Sequence, residues 1–354
     1  APHFMPATHH MVAAHRLITL NKKIISLQEP QSQPQENQRW SFGVVKDWNT
    51  YGWPVEHIRL ERYTNGELDF LKNRIIVNGY LSLSFRHISD LRSIGFLAGL
   101  PAFYTPARDN ALVLGAAEGM SAGFTSRYFK SVDLIDLSPD SEDILTYYRD
   151  YNYQALENVN LHQQDALSYV AKGKQDHKKY DYILSALSDP GYAFTAMLYT
   201  KEFFQAVSEI LDEDGIYGFW MEGRYFNKRS ADIYAALRDV FPYMRTMTIY
   251  RNYLPSHNKN LYKKFHVIAA SKKPLNLQVT ANSELVQHLY NLDEQRYPHY
   301  DEKYQKNLKT PLEKIMRSRE ITAKRPRGTS AQMAHLKFAY DFKLFYQRMA
   351  DIIK

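Results

Sequence analysis

Residues 110–139 confine this chain to a narrow set of folds, because an apolar run, a turn of small side chains and a second apolar run follow one another there. Ala111-Leu112-Val113-Leu114 shows no polar alternation, so it reads as a strand covered on both faces, as in a parallel sheet. Gly115 ends it. Residues 116–123 are poor in bulky side chains, which lets a ligand approach the backbone, and the helix that follows points its N-terminus at the same place. Val132-Asp133-Leu134-Ile135-Asp136 then gives a second strand ending in an acid. Asp136 lies 21 positions after Gly115 (136 − 115), near the spacing of about 20 at which such folds place a carboxylate against ribose hydroxyls. The strict G-x-G-x-x-G pattern is absent, since Ala117 holds the second glycine position; this argues against a pyrophosphate on the turn and fits a nucleoside without phosphates. Read alone, the motif is equally well explained as an ordinary strand-helix turn.

Alternation of strand and helix continues downstream. Residues 141–153 read as a helix, Val159-Asn160-Leu161-His162 as a third strand closed by Gln164-Asp165-Ala166, and residues 167–173 as a helix before a fourth strand, Tyr180-Asp181-Tyr182-Ile183-Leu184. That strand runs into Ser185-Ala186-Leu187-Ser188-Asp189-Pro190-Gly191-Tyr192, at the carboxyl edge where ligands sit in open α/β sheets. Residues 200–211 carry a helical stripe of Phe203, Phe204, Val207, Ile210 and Leu211, stopped by Asp214-Gly215. Strands over 216–221, 247–250 and 265–270 and a helix over 231–240 complete a Rossmann-like, seven-strand sheet of the methyltransferase type over residues 87–275. Ahead of it, residues 41–86 form a small antiparallel β-domain, in which Asn65-Gly66 and Asn78-Gly79 supply two hairpin turns. Residues 1–40 read as an extension and linker. Residues 276–354 read as a charged helical extension whose Phe338, Tyr340, Phe342 and Tyr346 dock on the core or on a partner.

Composition excludes several function classes. A hydrophobic share of 44%, with no run approaching the ~18 apolar residues of a membrane span, describes a globular chain, soluble as given. The net charge of +7 attracts anionic partners, but its densest piece, Lys324-Arg325-Pro326-Arg327-Gly328, reads as a solvated loop, which disfavours nucleic acid. Without cysteine there is no disulfide, thiolate metal site or cysteine nucleophile. His3, His9, His10 and His15 lack the acids and fixed spacing of a metal site and read as a surface segment. The chain begins at Ala1, so removal of a preceding signal, membrane segment or tag is expected; the cytoplasm is the favoured location and membrane association the alternative.

Taken together, the small antiparallel sheet, the acids after the first three strands of the α/β sheet and the Ser188-Asp189-Pro190 turn resemble the polyamine aminopropyltransferases, the spermidine synthase family within the class I S-adenosylmethionine-dependent methyltransferase fold. The likeness covers residues 41–275 and is most specific over 180–215. It implies S-adenosylmethionine or its decarboxylated form as substrate. Gly115 and Gly119 belong to the resemblance's glycine-rich loop, Glu118 matches the acid of that loop, Asp136 the acid that holds the ribose hydroxyls, and Asp165-Ala166 the pair that binds the adenine amino group. The family usually carries Glu where Asp136 stands.

The departures fall on the acceptor side. Ala186 takes the position of an Asp that, in the family, helps deprotonate and position the attacking amine, and alanine accepts no proton. Leu91-Arg92-Ser93 and Ser82 replace other acceptor-binding residues, and Arg92 repels a cationic polyamine. Asp189 and Tyr192 are the candidate catalytic residues, with Glu222 a further candidate base and Arg224 or Arg92 a candidate anion-recognising group. Three functions remain open on the sequence: a transferase moving an aminopropyl or methyl group to an unidentified acceptor; a degenerate relative serving as a binding or assembly module in a homo-oligomer or larger complex; and, against the absence of an Asn/Asp-Pro-Pro-Tyr signature, a nucleic-acid methyltransferase.

Overall fold

The computed structural model describes residues 38–50, 53–77, 80–85, 88–187, 193–222, 228–251, 263–276, 284, 285 and 288. Packing divides the chain into two units, one of Ala1–Phe85 with Ala339–Lys354 and one of Arg86–Phe338.

In the first unit β1 (Gln38–Thr50), β2 (Trp53–Thr64), β3 (Glu67–Val77) and β4 (Tyr80–Phe85) form an antiparallel meander in that order. Asn65 and Gly66 turn between β2 and β3 with φ of 53° and 84°, the left-handed pair that a two-residue hairpin needs and that Asn-Gly tolerates. The second hairpin is present as the Val77↔Tyr80 pairing, with Asn78-Gly79 outside the described residues. Residues 67–77 form one continuous strand, in which Lys72 and Asn73 pair with Leu60 and Arg59 and carry the ladder through.

The second unit opens with the helix Ile88–Ala102 and continues as β5 (Asn110–Leu114), β6 (Ser131–Asp136), β7 (Asn160–Gln163), β8 (Tyr180–Ser185), β9 (Leu211–Glu222), β10 (Tyr243–Arg251) and β11 (Lys263–Ser271). The seven strands lie in the order β10-β11-β9-β8-β5-β6-β7. Neighbours from β9 to β7 run parallel, and β11 runs antiparallel to both β9 and β10. This is the α/β, methyltransferase-type sheet that the alternation predicts. The chain proceeds outward through β5, β6 and β7 and then returns to the other side of β5 for β8, so a topological switch point falls between β5 and β8.

Each central strand is buried on both faces. Ala111 and Val113 join one core layer with the helices Ile88–Ala102 and Met120–Ser126, while Leu112 and Leu114 join the other with Ala166–Gln175, Lys201–Ile210 and Lys228–Val240. The apolar stripe of Lys201–Ile210 is as the spacing predicts, with Phe203, Phe204, Val207 and Ile210 at most 1% exposed. Thr200 caps that helix, its hydroxyl oxygen accepting the Phe203 amide at 3.4 Å.

Two sequence expectations change. The helix expected over 141–153 ends at Tyr147, and a second short helix, Ala155–Asn158, follows Tyr153 and Gln154, whose left-handed φ values of 59° and 57° break the helical path before it. The strand expected from 216 begins at Leu211, and residues 212–215 form an irregularity between the pairings Tyr180↔Leu211 and Tyr182↔Ile216. Lys272 holds that irregularity by donating to the Leu211 carbonyl and to Glu213, each at 2.9 Å. Beyond β11, Leu275 and Leu285 are buried in the first core layer, and the His288 ring stacks on Phe124 at 4.8 Å, so this part of the C-terminal extension docks on the core. Among the described residues no helix is long and apolar enough to cross a membrane.

Candidate functional site

Because β8, β5, β6 and β7 are adjacent and parallel, their carboxyl ends form one edge of the sheet. Gly115 follows β5, Asp136 ends β6, Asp165 follows β7 and Ala186 follows β8. Two strand spacings separate β5 from β7, about 10 Å, which is the length of an adenosine laid along the edge.

The turn after β5 is built for close approach. Gly115 has φ of +92°, its amide donates to the Ile135 carbonyl at 2.8 Å, and a Cβ there would stand 3.3 Å from the Ala186 carbonyl oxygen. Ala186 in turn donates its amide to the Leu114 carbonyl at 2.9 Å, so the two chains close on each other across the switch point. Ala117, in the second glycine position, takes a left-handed φ of 46° and is the one exposed residue between Ala116 and Met120. The Gly119 amide closes the turn on the Ala116 carbonyl at 2.7 Å, and Gly119 itself has φ of +89° where an added Cβ would overlap Leu145.

The candidate acids are brought to this edge, each by its own strand. Glu118, within the turn, is buried, 3% exposed. Asp136 is half-buried and accepts the Ala116 amide on Oδ2 at 2.7 Å and the Ser138 amide and Ser141 hydroxyl on Oδ1 at 2.7 and 3.0 Å. The acid expected to hold a ribose thus also fixes the turn. Asp165 caps the helix Ala166–Gln175, Oδ1 accepting the Ser168 amide and hydroxyl at 2.9 and 3.0 Å, while Oδ2 has no partner among the described residues. Ala166 is buried beneath it.

The acceptor side is apolar as far as it is described. After the buried Ser185, whose hydroxyl accepts from Tyr217 at 3.0 Å, come Ala186 and Leu187, the last described residues after β8, both with hydrocarbon side chains. Asp189, Tyr192 and Arg224 lie outside the described residues. Arg92, Ser93 and Leu91 fall in the helix Ile88–Ala102, Ser82 in β4 and Glu222 at the end of β9, with side chains outside the description. Among the described residues no group of three or more His, Asp or Glu side chains is placed to hold a metal.

Two features gave no readable signal in the sequence. Asn152, fully buried, donates to the Glu118 carbonyl at 3.0 Å. On the face of β6 opposite the first core layer, Asp133 accepts from Tyr180 at 2.6 Å and Tyr169 at 2.7 Å. Burial alone would raise the Asp133 pKa, but the hydrogen bonds from Tyr169, Tyr180 and Asn160 outweigh it and bring it down to about 2. Burial, and then the hydrogen bond to Asp133, push the Tyr180 phenol well above its ordinary value.

Comparisons with known proteins agree with this architecture. A family model described as spermine/spermidine synthase domain matches residues 95–276, just over half of the chain. A polyamine aminopropyltransferase from Clostridium beijerinckii is 26% identical over 247 residues, covering 67% of this chain and 83% of that protein. Polyamine aminopropyltransferase 2 from Aquifex aeolicus is 26% identical over 204 residues, 55% of this chain but 39% of that protein, and the Lachnoclostridium phytofermentans relative is covered over 56% of its length. The fold is similar to that of spermidine synthase from Thermotoga maritima, with a TM-score of 0.55 and 18% identity over 78% of this chain and 92% of that one. A spermidine synthase in complex with the transition state analogue AdoDATO is similar with a TM-score of 0.57, at 18% identity over 78% of this chain and 93% of that one. With its sheet order, its row of carboxylates and its matched domain, the chain belongs to the spermine/spermidine synthase family.

Proposed function

We propose that the chain is an aminopropyltransferase-like protein whose carboxyl edge binds the adenosyl part of decarboxylated S-adenosylmethionine. One observation carries this reading: Gly115, Glu118, Asp136 and Asp165 follow adjacent parallel strands along a single edge beside the switch point. The place of Asp136 at the end of β6 supports a ribose-binding role, and Oδ2 of Asp165, without a partner among the described residues, is available to accept from an exocyclic amino group. The absence of the strict glycine pattern suits a ligand without phosphates. In the reaction a nucleophilic acceptor forms a bond to the propyl carbon next to the sulfonium, the carbon–sulfur bond breaks, and the thioether nucleoside leaves. The acceptor nitrogen must then lose a proton.

A second reading is favoured by Ala186. At the switch point, where that proton must go, the described residues supply a methyl group and the Leu187 side chain. A protein that holds the nucleoside without turning it over, within a homo-oligomer or a larger complex, accounts for this directly. Incubation with decarboxylated S-adenosylmethionine and a panel of amines, with chromatographic detection of the released thioether nucleoside, separates the two. Release supports transfer. Binding without release supports the module, and neither binding nor release contradicts both. S-adenosylmethionine itself, run in parallel, tests methyl transfer.

A further inference from the structure

The segment joining β6 to β7 reaches back to the turn through one fully buried side chain, Asn152. Its Nδ2 donates to the carbonyls of Glu118 at 3.0 Å and Leu145 at 2.9 Å, and its Oδ1 accepts the Ala155 amide at 3.1 Å. Both amide protons are therefore used on carbonyls of different segments. The fit is close on the glycine side as well. A Cβ on Gly119 would stand 3.0 Å from Asn152 Nδ2, and one on Gly123 would overlap the Asn152 carbonyl. The residues that follow Asn152, Tyr153 and Gln154, are both left-handed, a state that L side chains hold only where surrounding contacts over-determine it.

The turn after β5 is thus gripped at both ends by one connection: Asp136 takes the amide of Ala116, and Asn152 takes the carbonyl of Glu118. We propose that Asn152 is a positioning residue of the adenosyl site, locking the Glu118–Gly119 peptide so that the turn is set before a ligand arrives. This rests on the adenosyl-binding reading above. A turn ordered in advance does not lose further conformational freedom on binding, so the effect of Asn152 falls on ligand affinity.

The test compares Asn152→Asp with Val207→Ala. The first replaces the amide nitrogen by oxygen at nearly constant shape, which sets an acceptor against the Glu118 and Leu145 carbonyls while keeping the bond from Ala155. The second trims a fully buried side chain in the other core layer, away from the turn. Two quantities are read where both variants are folded: hydrogen exchange at the Gly119 amide, which bonds within the turn, and affinity for decarboxylated S-adenosylmethionine. In Asn152→Asp, Gly119 exchanges at least about tenfold faster than in Val207→Ala, and affinity falls at least about tenfold, whereas Val207→Ala binds within about twofold of wild type. Equal exchange in the two variants, or unchanged affinity in Asn152→Asp, overturns the proposal. A wild-type protein that binds no adenosyl compound overturns the proposed function instead, and the exchange arm still decides whether Asn152 orders the turn. If Asn152→Asp does not fold, Asn152→Ser, too short to reach Glu118, is read by the same two measurements.

Discussion

The amide of Ala116 donates to Oδ2 of Asp136 at 2.7 Å, tying the turn after β5 to the end of β6. Ser138 and Ser141 donate to the other oxygen, so one carboxylate organises three segments. Hydrogen bonds to a charged group contribute about 1.5–3 kcal/mol, and loss of the whole set leaves the Ala116 amide without its acceptor. Asp136→Ala is expected to lower the unfolding free energy by about 3 kcal/mol in urea titration, with Asp136→Asn, which keeps one oxygen, between it and wild type. A loss below about 1 kcal/mol for Asp136→Ala contradicts the organising role.

Ala117 occupies a conformation that glycine adopts freely, with φ of 46°. Left-handed backbone costs about 1–2 kcal/mol for a residue with a Cβ, and part of that gain is offset by the greater freedom of glycine in the unfolded chain. Ala117→Gly is expected to stabilise the protein by about 0.5–1 kcal/mol, seen as a raised thermal midpoint. A lowered midpoint shows that the methyl group makes contacts worth more than the strain.

The Asp133 cluster sets an acid limit. Its folded pKa of about 2 lies below the ordinary 3.8, so its contribution is fully present above pH 4–5 or thereabouts and is lost as pH falls toward 2. The shift corresponds to on the order of 2 kcal/mol for a side chain 15% exposed. Asp133→Asn is expected to be less stable than wild type at pH 7 and to lose less stability between pH 5 and about 2.5, measured by denaturant midpoints along the pH series. Parallel curves for the two proteins count against it.

His288 reports on the docked extension. Burial first, then the nearby Arg127 charge, hold its pKa below 6.5, and its Nδ1 meets the Tyr128 hydroxyl while its ring stacks on Phe124. A depressed folded value means that its stabilising contribution is present above pH 6.5 and is lost as pH falls through the folded pKa. Nuclear magnetic resonance titration is expected to place the His288 midpoint below 6.5, and Phe124→Ala is expected to move it back toward 6.5. A His288 midpoint at or above 6.5 is the opposing result.

Much of the fold was legible because its determinants are local. Ala111-Leu112-Val113-Leu114 could be read as a doubly covered strand from four consecutive apolar residues, and the stripe Phe203, Phe204, Val207, Ile210 from helical spacing. The acids at 136 and 165 were readable from their places after strands. What the sequence hid is long-range or conformational. Asn152 gives no periodic signal and works by contacting Glu118, 34 positions away. The left-handed φ of Tyr153 and Gln154 has no signature in their side chains, so the sequence reads as a helix through 153 where the structure has one that ends at Tyr147. Asp133 alternates with apolar neighbours as any strand residue does, and only packing of Tyr169 and Tyr180 against it reveals a buried charge.

The central claim, that this edge holds an adenosyl group on the turn organised by Asp136, is tested most directly by calorimetric titration of wild type and Asp136→Ala with decarboxylated S-adenosylmethionine. Saturable one-to-one binding by wild type, weakened at least about tenfold in a folded Asp136→Ala, is the expected result. No saturable heat from wild type at millimolar ligand would contradict it.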